Sequence, residues 1–344
     1  MKNNLFSYAT SELSQDAFIC WLLSFLLKDS RVEPALKACA GALVGEFIPQ
    51  LKGEEIYADS IKRQFKSIDI LLTINGKYKV IIEDKTFSSE HDSQLKRYKD
   101  HIQKEYPDFN VICIYFKTGF QSDLREIEKS DYQYFGREKF LSILAQYAGQ
   151  IDNQIFLDYY HHLDDFEKKV QEFRSSEIAD WKWEQINGFF DHIKKTDLII
   201  KHGLEANYGY ISNQKGGFHG MWIYGGEEYY ATLLNLKFEQ YLQIEENFKI
   251  CFKISINKED YKKRDCSLLD FRNQLLYNTE GEYRLKKYGF SKPEKLGSGR
   301  TMTLGIFIEQ PQNLEEAATV LEKALEGFKA SIRESPSWST EPTP

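Results

Sequence analysis

Two short β-rich runs, Ile68–Ile74 (IDILLTI) and residues 79–85 (KVIIEDK), lie either side of an Asn75-Gly76 pair. No other feature constrains the fold as much. Asn-Gly favours a tight hairpin because both residues tolerate positive φ. Each run also carries charge where apolar residues dominate. Asp69 lies among Ile68, Ile70, Leu71 and Leu72, and Glu83 follows Val80, Ile81 and Ile82. Side chains alternate along a strand, so Glu83 and Lys85 share one face and Asp84 takes the other. A hairpin sets the strands side by side. Asp69 and Glu83 are therefore predicted to converge at one end of the sheet, with the Lys85 ammonium beside them. Carboxylates in such surroundings are costly to desolvate without a partner.

The flanking periodicities extend this nucleus. Residues 14–28 place Phe18, Ile19, Leu22, Leu23, Phe25 and Leu26 at helical spacing, and residues 34–51 predict a second helix. A strand is expected over residues 55–65 and a helix over residues 94–105. Residues 110–116 (NVICIYF) form an apolar run suited to a strand buried on both faces. That strand–helix–strand passage implies parallel pairing. Residues 138–174 read as helical and acidic. Residues 203–259 alternate aromatic strands with turn signals, the pattern of an antiparallel meander, and residues 314–332 form a terminal amphipathic helix.

The expected fold class is α/β: a mixed central sheet of about four strands flanked by helices, followed by a second α+β domain with the meander. The expected division is residues 1–175, residues 176–334, and a disordered tail over 335–344. At 344 residues, two domains also suit the length.

Composition removes several classes. With 42% hydrophobic and 28% charged residues the chain is neither disordered nor fibrous, and a net charge of -7 excludes a uniformly basic coat for nucleic acid. Its five cysteines are scattered without a C-x-x-C pair, which suggests neither a zinc site nor a disulfide framework. No apolar run approaches the roughly 20 residues of a membrane span, and the start, Met1-Lys2-Asn3-Asn4-Leu5, has no apolar leader. The expected compartment is the reducing cytoplasm, with no membrane partner. Adjacent His161 and His162 point about 100° apart on a helix and do not suit one metal. Gly297-Ser298-Gly299-Arg300 lacks the spacing of a phosphate-binding P-loop.

Two carboxylates and a backbone carbonyl are hard oxygen ligands suited to Mg²⁺ or Mn²⁺. A lysine beside a metal-bound water orients it, and the metal stabilises charge growing on a phosphate. The chemistry indicated is metal-assisted hydrolysis of a phosphodiester.

The D-(x13)-E-x-K pattern of Asp69, Glu83, Asp84 and Lys85 resembles the PD-(D/E)XK nuclease superfamily, whose fold is restriction-endonuclease-like. Gln94-Leu95-Lys96-Arg97-Tyr98 is similar to the Q-x-x-x-Y element of some of its branches. Ser11-Glu12-Leu13-Ser14, ahead of an aromatic helix, resembles the first-helix acidic motif of a bacterial branch. The resemblance covers residues 5–120. It implies Asp69 and Glu83 as metal ligands, with the Asp84 carbonyl completing the shell and Glu12 adding a carboxylate. Lys85 would position the nucleophilic water. Gln94 would steady the site or a phosphate, and Tyr98 would pack or contact the nucleic-acid backbone. Two positions depart from the pattern. Ile68 replaces the proline, and Gln15 stands where the resemblance expects a histidine, so position 15 receives no role.

Between Ile61 and Lys104 stand ten Lys/Arg against six Asp/Glu, about +4 in a chain of -7. Counterion release favours such a segment next to nucleic acid. Lys62, Arg63, Lys66, Lys96, Arg97 and Tyr98 are the expected nucleic-acid contacts. The leading expectation is a Mg²⁺- or Mn²⁺-dependent nuclease acting on DNA. The rival is a non-catalytic nucleic-acid-binding module that keeps the fold. A third reading has the C-terminal domain bind a protein partner, with cutting only in that complex.

Overall fold

The structure is a computed structural model and describes residues 3–9, 11–31, 33–88, 94–212, 216–295, 297 and 299–334. The expected disordered tail and Ser298 lie outside these residues. The chain divides into two compact units, residues 1–168 and 169–344.

The first unit is built on a five-stranded sheet ordered β1 (Ala58–Phe65), β2 (Ile68–Ile74), β3 (Tyr78–Lys85), β4 (Asn110–Lys117), β5 (Gln133–Gly136). The first three strands pair antiparallel and β3–β4–β5 pair parallel. Asn75 and Gly76 adopt φ of 51° and 61°, and Lys77 N–H donates to the Ile74 carbonyl, closing the turn that Asn-Gly favours. The sheet has one strand more than the four expected. β5 has only four residues, too short to carry a readable alternation.

The sheet buries both faces: the helices that connect β3, β4 and β5 cover one, and helices that precede β1 or follow β5 cover the other. On one face Ile70, Leu72, Val80, Ile82, Ile114 and Phe116 join the larger core. That core is closed by α1 (Glu12–Leu23), α2 (Pro34–Phe47), and residues from α5 (Arg137–Ala148) and α6 (Gln154–Gln171). Phe18 of α1 stacks on Tyr159 of α6 at 3.7 Å between ring centroids. On the other face Leu71, Ile81, Cys113 and Tyr115 pack with Leu95, Tyr98 and Ile102 of α3 (Gln94–Glu105), and with Ile127 of α4 (Arg125–Lys129).

In the second unit a seven-stranded antiparallel sheet follows α7 (Trp183–Lys195) and α8 (Asp197–Ile200). Its strands are β6 (Glu205–Ile211), β7 (Phe218–Tyr224), β8 (Tyr230–Leu233), β9 (Leu236–Glu245), β10 (Lys249–Ile256), β11 (Phe290–Ser291) and β12 (Thr301–Phe307). The order is β11-β12-β10-β9-β7-β6, with β8 paired to β9. Two helices, α9 (Lys258–Lys263) and α10 (Leu268–Leu276), come between β10 and β11. The terminal α11 (Leu314–Arg333) buries Ala317, Leu321, Ala324, Leu325 and Phe328, and Phe328 meets Phe252 edge-on. Among the described residues no helix is long and apolar enough to cross a membrane.

Candidate active site

Strand register decides what meets at the C-terminal end of β3. Ile70 pairs with Ile82 across the hairpin, so Asp69 falls opposite Glu83, and opposed residues project to one face. Glu83 is in turn in register with Tyr115 of β4, on the face covered by α3. The Lys85 ammonium lies 2.6 Å from Glu83 Oε1 and 3.6 Å from Asp69 Oδ2, bridging the two carboxylates. It also donates to the Asp84 carbonyl at 3.2 Å. Asp69 Oδ2 accepts the Asp84 backbone N–H at 2.9 Å. From the first turn of α3, Gln94 Nε2 donates to Glu83 Oε1 at 3.0 Å and to the Tyr98 hydroxyl at 2.7 Å.

Glu12 enters from the N-terminus of α1. Its carboxylate accepts Thr86 N–H at 3.0 Å and the Ser88 hydroxyl at 2.5 Å. It thereby holds the segment that leaves β3. Gly119 makes room for that segment: a Cβ there would stand 2.0 Å from the Thr86 carbonyl oxygen. Gly119→Ala must displace backbone next to the site. We expect it to lower stability by about 1–3 kcal/mol, read as a shifted urea midpoint with unchanged slope.

Burial sets the protonation of these groups. Glu83 is 1% exposed. Desolvation first and the Asp69 charge second push its carboxyl up to about 7, against the pull of Lys85. Burial works to lower the Lys85 ammonium, yet Glu83, Asp69 and Glu12 outweigh it and leave Lys85 above its usual range. Burial raises Glu12, but its hydrogen bonds to Ser88 and Thr86 and the charges of Lys85 and Lys117 bring it below the ordinary value.

A second polar cluster stands on the opposite face of β3, where alternation sends Asp84. Its carboxyl is 1% exposed and is held well above the usual range, chiefly by desolvation. Gln15 of α1 donates to Asp84 Oδ1 and accepts the hydroxyls of Thr118 at 2.6 Å and Tyr159 at 3.1 Å. Asp16, also buried, is raised to about 6, by desolvation and then by Asp69. Position 15 received no role from the sequence, and here it is the hub joining α1, β3, the residue that follows β4, and α6. Gln15→Ala strands three buried polar groups. A loss of about 3 kcal/mol is expected in denaturant unfolding, and Gln15→Glu at neutral pH should be no better, because it adds a third carboxyl. The signal was present in the spacing: Glu12, Gln15 and Asp16 fall on one face of α1.

The basic segment separates into engaged and outward-facing groups. Lys66 is tied to Glu105 at 2.6 Å, and Lys79 is buried between the rings of Tyr106 and Phe109. Lys62 and Arg63 are exposed on β1, and Lys96 and Arg97 on α3. Of the two expectations for Tyr98, packing or a nucleic-acid contact, its burial fits the first. It is 6% exposed within the smaller core, because a residue four on from Gln94 returns to the helix face that covers the sheet.

The donor set suits a hard divalent cation. Among the described residues, Glu83 Oε2 is buried without a hydrogen-bond partner, and the other nearby ligand atoms are carboxylate or carbonyl oxygens. Among the described residues, however, no cluster of three or more His, Cys, Asp or Glu forms a ready-made metal cage. Lys85 bridges Asp69 and Glu83, and Glu12 is engaged by Thr86 and Ser88.

Fold and site together define a restriction-endonuclease-like α/β protein with a lysine-bridged carboxylate pair at the end of a mixed sheet. The model of the PD-(D/E)XK nuclease superfamily matches residues 3–210, more than half of the chain, and the chain belongs to that superfamily. No curated protein and no solved structure gives a match. The matched residues include the whole first unit from residue 3 and continue through α7 and α8 into β6. Nucleases of this superfamily generally use divalent metals.

Proposed function

We propose that the chain is a Mg²⁺- or Mn²⁺-dependent nuclease that hydrolyses phosphodiester bonds of DNA, with the chemistry carried by residues 1–175. The observation that supports this reading is the convergence of Asp69, Glu83 and Lys85 on one face, within 2.6–3.6 Å of the Lys85 ammonium. Asp69, Glu83, the Asp84 carbonyl and Glu12 are the groups to hold the ion. When bound, the ion lowers the pKa of a coordinated water and neutralises charge on the phosphate.

The protein's own groups supply the rest. Lys85 keeps its proton at neutral pH, so it acts as a donor that orients the water and steadies developing negative charge; it is not a base. Gln94 fixes the Glu83 carboxylate. The segment Thr86–Ser88, held by Glu12, borders the site. Exposed Lys62, Arg63, Lys96 and Arg97 give phosphates a positive approach.

The test supplies Mg²⁺ or Mn²⁺ with linear, circular and single-stranded DNA, and compares wild type with Asp69→Ala and Lys85→Ala. Cleavage by wild type that both variants lose is the expected result. Undiminished cleavage in both would refute the assignment. Salt-sensitive binding without turnover by wild type is the outcome of the rival, a binding module that keeps the fold. Buried carboxylates weigh against that rival, since a binder gains nothing from their desolvation.

A further inference from the structure

A second lysine stands on the active face at the end of β4. Lys117 is in parallel register with Lys85, and parallel partners in register project to the same side of a sheet. It is 1% exposed. Its ammonium donates to the Ser88 carbonyl, and among the described residues no carboxylate comes within ion-pair distance of it. Glu12 acts on it only across space, its carboxylate being occupied by Thr86 N–H and the Ser88 hydroxyl. An ammonium has three donors, and among the described residues this one has a single neutral acceptor.

That is a costly arrangement for a mere clamp. A buried charge without a partner is strongly unfavourable, whereas a neutral amide could hold the Ser88 carbonyl without the penalty. Desolvation draws the Lys117 ammonium down to about 8, so most of it remains charged at neutral pH. The two lysines therefore differ. Lys85 is neutralised by Glu83 and Asp69, while Lys117 keeps donor capacity facing the same end of the sheet. The group that completes it is an anion with oxygen acceptors, and a phosphate has that chemistry.

We infer that Lys117 is a second cation of the active site, gripping a phosphate of the nucleic-acid substrate beside the Asp69–Glu83–Lys85 cluster. This rests on the nucleic-acid reading above, and it assigns a role to a residue outside the D-(x13)-E-x-K pattern.

The experiment uses the full chain as wild type, Lys117→Gln, Lys117→Met and Lys117→Arg, with thermal unfolding as the check on folding. Binding of a labelled DNA duplex is measured with Ca²⁺ in place of Mg²⁺ across a salt series, turnover with Mg²⁺, and Mn²⁺ binding by calorimetry. Lys117→Gln can still donate to the Ser88 carbonyl but lacks charge. A charge-assisted bond is worth about 1.5–3 kcal/mol, so both neutral variants should lose roughly 10- to 100-fold in duplex affinity. The slope of log affinity against log salt should fall in magnitude by about 0.9. Lys117→Arg should recover most of the affinity, and Mn²⁺ binding should not change. Wild-type affinity and salt slope in Lys117→Gln would overturn the inference, as would losses that merely track thermal stability or Mn²⁺ binding. A wild type that binds duplex without cutting it removes the nuclease reading, yet leaves the salt slope to decide Lys117. A wild type that binds no duplex overturns both.

Discussion

Lys85→Ala is expected to reduce DNA cleavage by about 10²- to 10³-fold, the range that one positioned donor to developing negative charge contributes. Among the described residues, Lys85 is the one side chain that touches Glu83, the Asp84 carbonyl and, at longer range, Asp69. Removing it takes away the donor that orients water and leaves the metal-ligand carboxylates in place. The loss should therefore appear in kcat at saturating Mg²⁺. The fold should persist. Glu83, already raised to about 7, takes up a proton when its partner is gone. Lys85→Met controls for the cavity. Full activity in both variants would mean that the water is positioned by another group.

The second large effect is a pH dependence with opposite signs in the metal-free and metal-bound protein. Glu83 has a folded pKa of about 7 against an ordinary value of 4.5. Its contribution to stability is fully present below the unfolded value and is lost as pH rises through the folded value. The metal-free protein should lose on the order of 2–3 kcal/mol from this group between pH 4.5 and 8. Asp16, raised to about 6, acts in the same direction. A bound cation needs the ionised carboxylate. The apparent metal Kd should therefore tighten about tenfold from pH 6 to pH 8, and the rise in Tm on adding Mg²⁺ should grow over the same range. Glu83→Gln should flatten both curves. A metal-induced Tm shift that is constant from pH 6 to pH 8 would mean that Glu83 is not in the metal's shell.

Local signals carried much of the site. Asn75-Gly76 specifies its turn through φ alone, and that turn fixes which residues of β2 and β3 oppose each other. The position of Asp69 opposite Glu83 follows from two strands and a period of two. Glu12 and Gln94 were legible as motif positions at helix starts. What escaped depends on longer-range register. Lys117 looked like the residue after an apolar strand; its placement beside Lys85 needs the parallel β3–β4 alignment, which a connection of 24 residues leaves unspecified. Gln15 and Asp16 sit in a helix that is apolar on most sides. Gln15 is bonded from α6, whose Tyr159 is 144 residues away in sequence. The resemblance left Tyr98 either to pack or to contact backbone, and helix geometry places it in the core. β5 was too short for its pattern to stand out, although its edge position widens the sheet to five strands.

The central claim is that Asp69 and Glu83 hold a divalent cation together. Titration calorimetry with Mn²⁺ on wild type and Asp69→Ala tests it most directly. The account predicts saturable binding by wild type, with proton release near pH 7, and its loss in a folded Asp69→Ala. Equal binding by both proteins, or no binding by wild type, would contradict it.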